Sequence, residues 1–153
     1  MAVSFTKNFS IQGTLQNKVR LINKALEGEM QNHIATIQQN VSQGRSYDGK
    51  KLKAYSKKYG ARREKSGRNK SPVDLTITGS MMQSLDYKVE ASNSSTFRGI
   101  IFFRNIDSIS PKAFGGRSAS APDKAKWNLQ KRKFFGISPQ QVAELVRKVK
   151  LKI

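Results

Sequence analysis

The chain has 153 residues, no cysteine, 37% hydrophobic residues and a formal charge of +19, from 29 Lys and Arg against 10 Asp and Glu. This length predicts one domain with a modest core; the lack of cysteine excludes disulfides and thiolate metal sites, and the short apolar runs exclude a membrane-spanning helix. The charge calls for an acidic partner, whether DNA, RNA or an acidic protein surface, and does not choose among them.

Residues 1–13 mix Phe5, Phe9 and Ile11 with Ser, Thr, Asn and Gly13, which predicts an arm or a short edge strand; they show no basic segment leading into an apolar core, so no secretory signal is expected. Over 14–43 the pattern becomes helical, with Leu15, Val19, Ile22, Leu26, Met30, Ile34, Ile37 and Val41 recurring every three or four residues. Gly28 weakens the middle of this helix by up to about 1 kcal/mol relative to Ala and is a place for a bend, and Gly44 is a natural stop.

Residues 44–70 carry the charge. Eleven Lys or Arg against Asp48 and Glu64 leave a local balance of +9. Tyr47, Leu52, Tyr55 and Tyr59 are interleaved without a helical face, so the segment reads as an extended basic loop pinned to the body by these side chains. Its cations Lys57, Lys58, Arg62, Arg63, Arg68 and Lys70, with Arg117 and Trp127 further on, are the candidate contacts to a partner or to DNA.

A joint and a β-hairpin are expected over 71–104. Pro72 disfavours helix in the residue before it, and Thr78 is placed to cap a short helix from Gly79 to Leu85. Ile77 and Met82 are spaced as a hydrophobic staple, and Met81, Met82 and Leu85 share a face. Residues 86–91 alternate polar and apolar, 93–96 supply a turn, and 97–103 form a β-rich run. Ser110-Pro111, Gly115-Gly116 and Ala121-Pro122 mark 105–131 as a long loop. Within 132–153, Ser138 as N-cap, Pro139 at the first position and Gln141 in a capping box open a C-terminal helix with Val142, Leu145, Val146 and Val149 on one face. Ile137 and Val142 offer a second staple, and Phe134 and Phe135 read as core anchors.

Catalytic chemistry finds little footing. His33 is the only histidine and falls beside Met30, Ile34 and Ile37, as a packed or boundary residue would. Glu27 and Glu29 lie two apart and point in different directions on a helix. Asp123 follows a Pro without the Glu-x-Lys of a metal nuclease, and Gly115-Gly116 leads into no phosphate-binding loop. No catalytic, cofactor or metal residue is therefore expected. Trp127 reads equally as a core or an interface residue, and no base-reading motif accompanies the basic runs.

The order of the pieces resembles the Mu-like phage virion-morphogenesis and tail-completion family. The residues carrying the likeness are Asp48-Gly49 ahead of Leu52, then Leu75-Thr-Ile-Thr78-Gly79 with Ser84-Leu85, then Arg132-Lys-Phe134-Phe135-Gly136-Ile137-Ser138, within about 44–153. Lys133 stands where that family has Pro, Leu52 where Trp is more typical, and the family's His-Gln-x-Gly step after the hairpin is absent. The resemblance implies a structural virion protein of the tail or neck, made in the host cytoplasm, which completes or terminates the tail or joins it to the head connector. It implies copies of itself in a ring as partners, together with portal or connector and tail proteins, and the packaged DNA where the ring lines a channel. No membrane, cofactor or enzymatic activity goes with it. Gly49, Thr78, Gly79, Ser84, Arg132, Phe134, Phe135 and Gly136 would be its structural motif residues. The alternative is a non-enzymatic nucleic-acid-binding protein that uses its basic loops. The expected fold is α+β, with a long N-terminal and a C-terminal helix packed on a small antiparallel sheet.

Overall fold

A computed structural model describes residues 2–8, 15–75, 79–91, 96–109 and 118–152. The fold is α+β. Its longest element, α1 (Leu15–Ser42), is one unbroken helix through Gly28. Ile22, Leu26, Met30, Ile37 and Val41 are all buried along one stripe, and buried His33 fills the step between Met30 and Ile37. The helix ends as the sequence anticipates. Gly44 takes a left-handed φ of 71°, its N–H reaches the Val41 carbonyl at 2.9 Å, and Arg45 N–H reaches Asn40 at 2.7 Å. Those two bonds satisfy the last carbonyls in a Schellman arrangement. A side chain at Gly44 would also strike Pro72, since a Cβ there would lie 2.7 Å from the proline Cβ.

Three strands, β1 (Ala2–Asn8), β2 (Leu85–Ala91) and β3 (Thr96–Phe103), form an antiparallel sheet in the order β1-β3-β2. The expected hairpin is present as β2 and β3, and the N-terminal segment supplies the edge strand. Phe5 pairs with Gly99, which pairs with Val89; Val3, Ile101 and Tyr87 form the next row. Side chains alternate faces along a strand, so these rows share one face with Phe97 and Phe103. That face meets α1: a Cβ at Gly99 would lie 2.8 Å from Met30 Sδ and 2.9 Å from Phe5 Cε1.

The C-terminal helix α5 (Pro139–Lys150) begins as its sequence indicates. Ser138 accepts from Gln141 N–H, the Gln141 side chain returns the bond, and Pro139 occupies the first turn. Leu145 and Val149 are buried in the core, and α5 lies against α1. Just beyond it, Lys152 Nζ pairs with the buried Glu29 carboxylate of α1 at 2.7 Å.

Three expectations are corrected. The basic segment is no extended loop throughout, because Lys57–Lys65 form helix α2. Ser56 caps its N-terminus by accepting from Tyr59 N–H. Hydrophobic periodicity misses this helix because its buried residues are Gly60 and Arg63. The second correction concerns the 105–131 region. Asp107–Ile109 (β4) and Ser118–Ser120 (β5) pair as a two-stranded sheet, and Ala121–Leu129 form helix α4. The Ser-Ala-Pro-Asp stretch that reads as loop is a helix start: Ser120 accepts from Asp123 N–H, with a proline in the first turn. Ala121 and Ala125 then bury the narrow inner face completely. The third is the joint helix α3, which runs only from Ser80 to Gln83, with Gly79 at the N-cap position and no side-chain cap bond. Leu85 belongs to β2, because Arg104 N–H takes the Ser84 carbonyl at 2.8 Å and the sheet claims the chain before a second helical turn. The Thr78 cap, the Ile77 staple partner, Phe9, Ile11, Gly115-Gly116 and Arg117 lie outside the described residues.

Candidate binding cleft

The polar architecture of the basic segment starts at Arg63. Its side chain is almost wholly buried, at 1% exposure. Nη2 pairs with Asp74 Oδ1 at 2.8 Å and Nε donates to the Asn69 carbonyl at 2.7 Å. The guanidinium carbon lies 4.8 Å from the centre of the Tyr55 ring, and that of Arg132 lies 5.0 Å from the same centre. Arg132 also donates to the carbonyls of Lys53 and Ala54 at 2.7 and 3.1 Å. Burial pushes the Tyr55 phenol up to about 12, so it stays neutral and acts as donor and acceptor together. It donates to Asp74 at 3.2 Å and accepts from Leu75 N–H at 2.9 Å. The latter bond holds Leu75, whose φ of 53° is unusual for a residue with a side chain. Burial likewise raises Tyr59, whose ring centre lies 5.0 Å from that of Tyr55.

The same clamp sets one wall of a cleft of about 880 Å³. Lys53 to Ser56 and Tyr59 belong to that wall, and Leu75, Gly79 to Met81, Ser118, Ala119 and residues of α4 complete the lining. Leu75 and Met81 are buried. Lys53, Lys124, Lys131 and Arg132 supply positive charge, and no Asp or Glu is among the lining residues. Trp127 stands in the α4 wall and is 56% exposed.

The sequence-based candidates fall into separate places. Lys57, Lys58 and Arg62 are exposed on α2. Lys70 pairs with Glu64 at 2.8 Å on the surface, and Arg68 is half-buried with Nη1 at 3.4 Å from the Ser66 carbonyl. Arg63 is corrected from a partner contact to a buried tie inside the fold. Trp127 is corrected from its core alternative, and its neighbours in the cleft, Lys53, Lys124 and Lys131, are cations that spacing did not single out. Topology alone gathers them, since Lys53 and Lys124 come from segments far apart in sequence.

The described motif residues turn or pack the chain within and between their segments. Gly49, at φ 82°, closes the turn that begins at Ser46. Tyr47 in that turn packs on Gly136, where a Cβ would come within 2.8 Å of the tyrosine ring. The Tyr47 carbonyl accepts from Gln141 Nε2 at 2.9 Å. Phe134 and Phe135 are buried beside Phe103, and buried Ser84 donates to the Met81 carbonyl at 2.7 Å. His33 Nε2 lies 3.1 Å from the Gly136 carbonyl; burial lowers its pKa, with that hydrogen bond opposing. Among the described residues no group of three or more His, Asp or Glu is arranged to hold a metal ion, and no helix is long and apolar enough to cross a membrane. Compared with protein-family models, curated proteins and solved structures, the chain matches none.

Proposed function

We propose that this protein is a non-catalytic assembly subunit of a tailed-phage virion, acting in the neck as a ring-forming component that completes the tail or joins it to the head connector. The observation that carries the reading is the use to which the ordered motif residues are put. Gly49, Ser84, Phe134, Phe135 and Gly136 pack or turn the chain, and Arg132 ties its own segment to Lys53 and Ala54. A sequence pattern devoted to holding two distant segments together supports a scaffold whose work is done at its surface. That surface is strongly cationic, with Lys57, Lys58 and Arg62 exposed on one short helix. Such charge suits an acidic partner ring or the DNA within a channel.

Purified virions test this directly. Mass spectrometry is expected to find the protein at a fixed copy number per particle, and electron microscopy is expected to locate it between head and tail. Its absence from complete particles would overturn the assignment. The exposed cations of α2 favour a second reading, a free non-enzymatic nucleic-acid binder. That reading requires duplex affinity falling steeply with salt, since each neutralised phosphate releases counterions.

A further inference from the structure

We infer that the cleft between the Lys53–Tyr59 segment and α4 is a docking site for a short acidic peptide segment of another protein, anchored by large apolar side chains at its centre. Three features of the cleft select that occupant. Its lining carries Lys53, Lys124, Lys131 and Arg132 and no carboxylate. Its lining also includes buried apolar side chains, Leu75 and Met81, which suit an aliphatic or aromatic anchor more than a hydrated phosphate. Trp127, 56% exposed at the wall, adds a large amphipathic surface of the kind concentrated at protein interfaces.

A second copy of this chain does not meet the requirement. The ten carboxylates are scattered from Glu27 to Glu144, and no two are adjacent in sequence. The nearest pair, Glu27 and Glu29, lies on α1, where Glu29 is buried and paired with Lys152, so the described residues present no such acidic segment and a different protein is the occupant the cleft fits. Nucleic acid is disfavoured by the rings available. Tyr55 already carries Arg63 and Arg132 over its ring, and Tyr59 packs on Tyr55. Among the described residues lining the cleft, Trp127 alone is left as a broad exposed stacking surface, whereas single-strand binders stack successive bases on several. This inference concerns the cleft, and it would give the neck reading above a protein partner of defined chemistry.

Trp127 is the only tryptophan in the chain, so its fluorescence reports occupancy of the cleft. The full-length protein is titrated with three probes at fixed ionic strength: a ten-residue Asp/Glu-rich peptide with a central Leu-Leu pair, the same peptide with Ser-Ser in its place, and a ten-nucleotide oligo(dT). The Leu-Leu peptide is expected to shift the emission and to bind about tenfold or more tightly than the Ser-Ser peptide and the oligonucleotide. Reversing exposed cleft charges in Lys53→Glu/Lys131→Glu is expected to weaken it about tenfold. Equal reversal on α1, in Arg20→Glu/Lys24→Glu, is expected to change it less than about twofold. Circular dichroism on both double variants confirms that each is folded. Equal binding of the two peptides, equal effects of the two double variants, tighter binding of oligo(dT), or no emission change with any probe would each overturn the inference. Virion content is measured separately, so a negative titration with the protein present in particles removes the peptide site and leaves the neck assignment standing.

Discussion

The two halves of this molecule share one apolar core but add to it in different ways. Around α1, the three-stranded sheet and α5, stability comes from apolar burial: Ile22, Leu26, Met30, Phe97, Ile101, Phe103, Phe134, Leu145 and Val149 all lie in one core. The segment from Gly44 to Leu75 adds only Leu52, Val73 and Leu75 to that core, and its remaining ties converge on a buried arginine. Arg63 gathers Asp74, the Asn69 carbonyl and the Tyr55 ring, and Arg132 ties the same tyrosine to the lead-in of α5. The difference teaches that a charge of +19 is not +19 of binding surface. Part of the basicity is structural, and composition cannot separate that part from the rest.

The largest expected effect tests the apolar half. Phe134 is fully buried, with its ring centre 6.3 Å from that of Phe103 and 6.5 Å from that of Phe135. Phe134→Ala is expected to destabilise the fold by about 3–5 kcal/mol, through lost transfer energy and a cavity. Urea unfolding followed by circular dichroism measures it. A loss below about 1 kcal/mol would mean that this aromatic cluster does not hold the core.

Arg63→Ala is expected to lower stability by about 2–3 kcal/mol. Breaking a buried ion pair leaves its partners under-solvated, and the effect is moderated because the Asp74 side chain keeps 27% of its exposure. Hydrogen exchange sharpens the comparison. If the halves are separable, protection is lost over α2 and 66–75 while α1 and β3 keep theirs. Uniform loss would show one cooperative unit, and an unchanged midpoint would refute the structural role of Arg63.

What was legible in the sequence follows the same division. Ile22 through Val41 repeat at the helical period, Ser138-Pro139 with Gln141 is a complete start signal, and 97–103 is β-rich, so α1, α5 and the hairpin could be read directly. Helix α2 was hidden because Arg63 occupies the place where an apolar residue would mark the inner face. Helix α4 was hidden because alanines need little room, and Ala121 and Ala125 are too small to register as a hydrophobic stripe. The cleft was invisible for a further reason. Its cations come from segments distant in the chain, and no local pattern encodes their meeting.

His33 offers a smaller test, at the contact between α1 and the approach to α5. Burial holds its pKa below the ordinary value of 6.5, so the unfolded chain takes up a proton more readily than the folded one. Stability is therefore fully present above about pH 6.5 and is lost as pH falls through the folded pKa, with a slope of at most about 1.4 kcal/mol per pH unit. His33→Gln keeps a donor for the Gly136 carbonyl and removes the titration. Urea midpoints between pH 7.5 and 5.5 are expected to slope downward for the native chain and to flatten for the variant. Parallel slopes would show that this histidine is not responsible.

The smallest expected change in stability belongs to the exposed cations of α2, and it completes the contrast with Arg63. Lys57, Lys58 and Arg62 are exposed, and replacing all three by Gln keeps residues of similar helix propensity. Lys57 and Lys58 sit in the first turn, where positive charge opposes the helix dipole, whereas Arg62 sits in the last turn, where it is favoured. Their removal therefore acts in opposite directions, and the net shift should stay within about 0.5 kcal/mol. Surface function is a different matter. Under the assembly reading, the triple variant folds normally, enters the soluble fraction like the native protein, and leaves unattached heads and tails visible by electron microscopy. Complete particles in normal numbers would show that this face contacts nothing essential. A loss of stability comparable to that of Arg63→Ala would erase the distinction between structural and surface charge on which the comparison of the two halves rests.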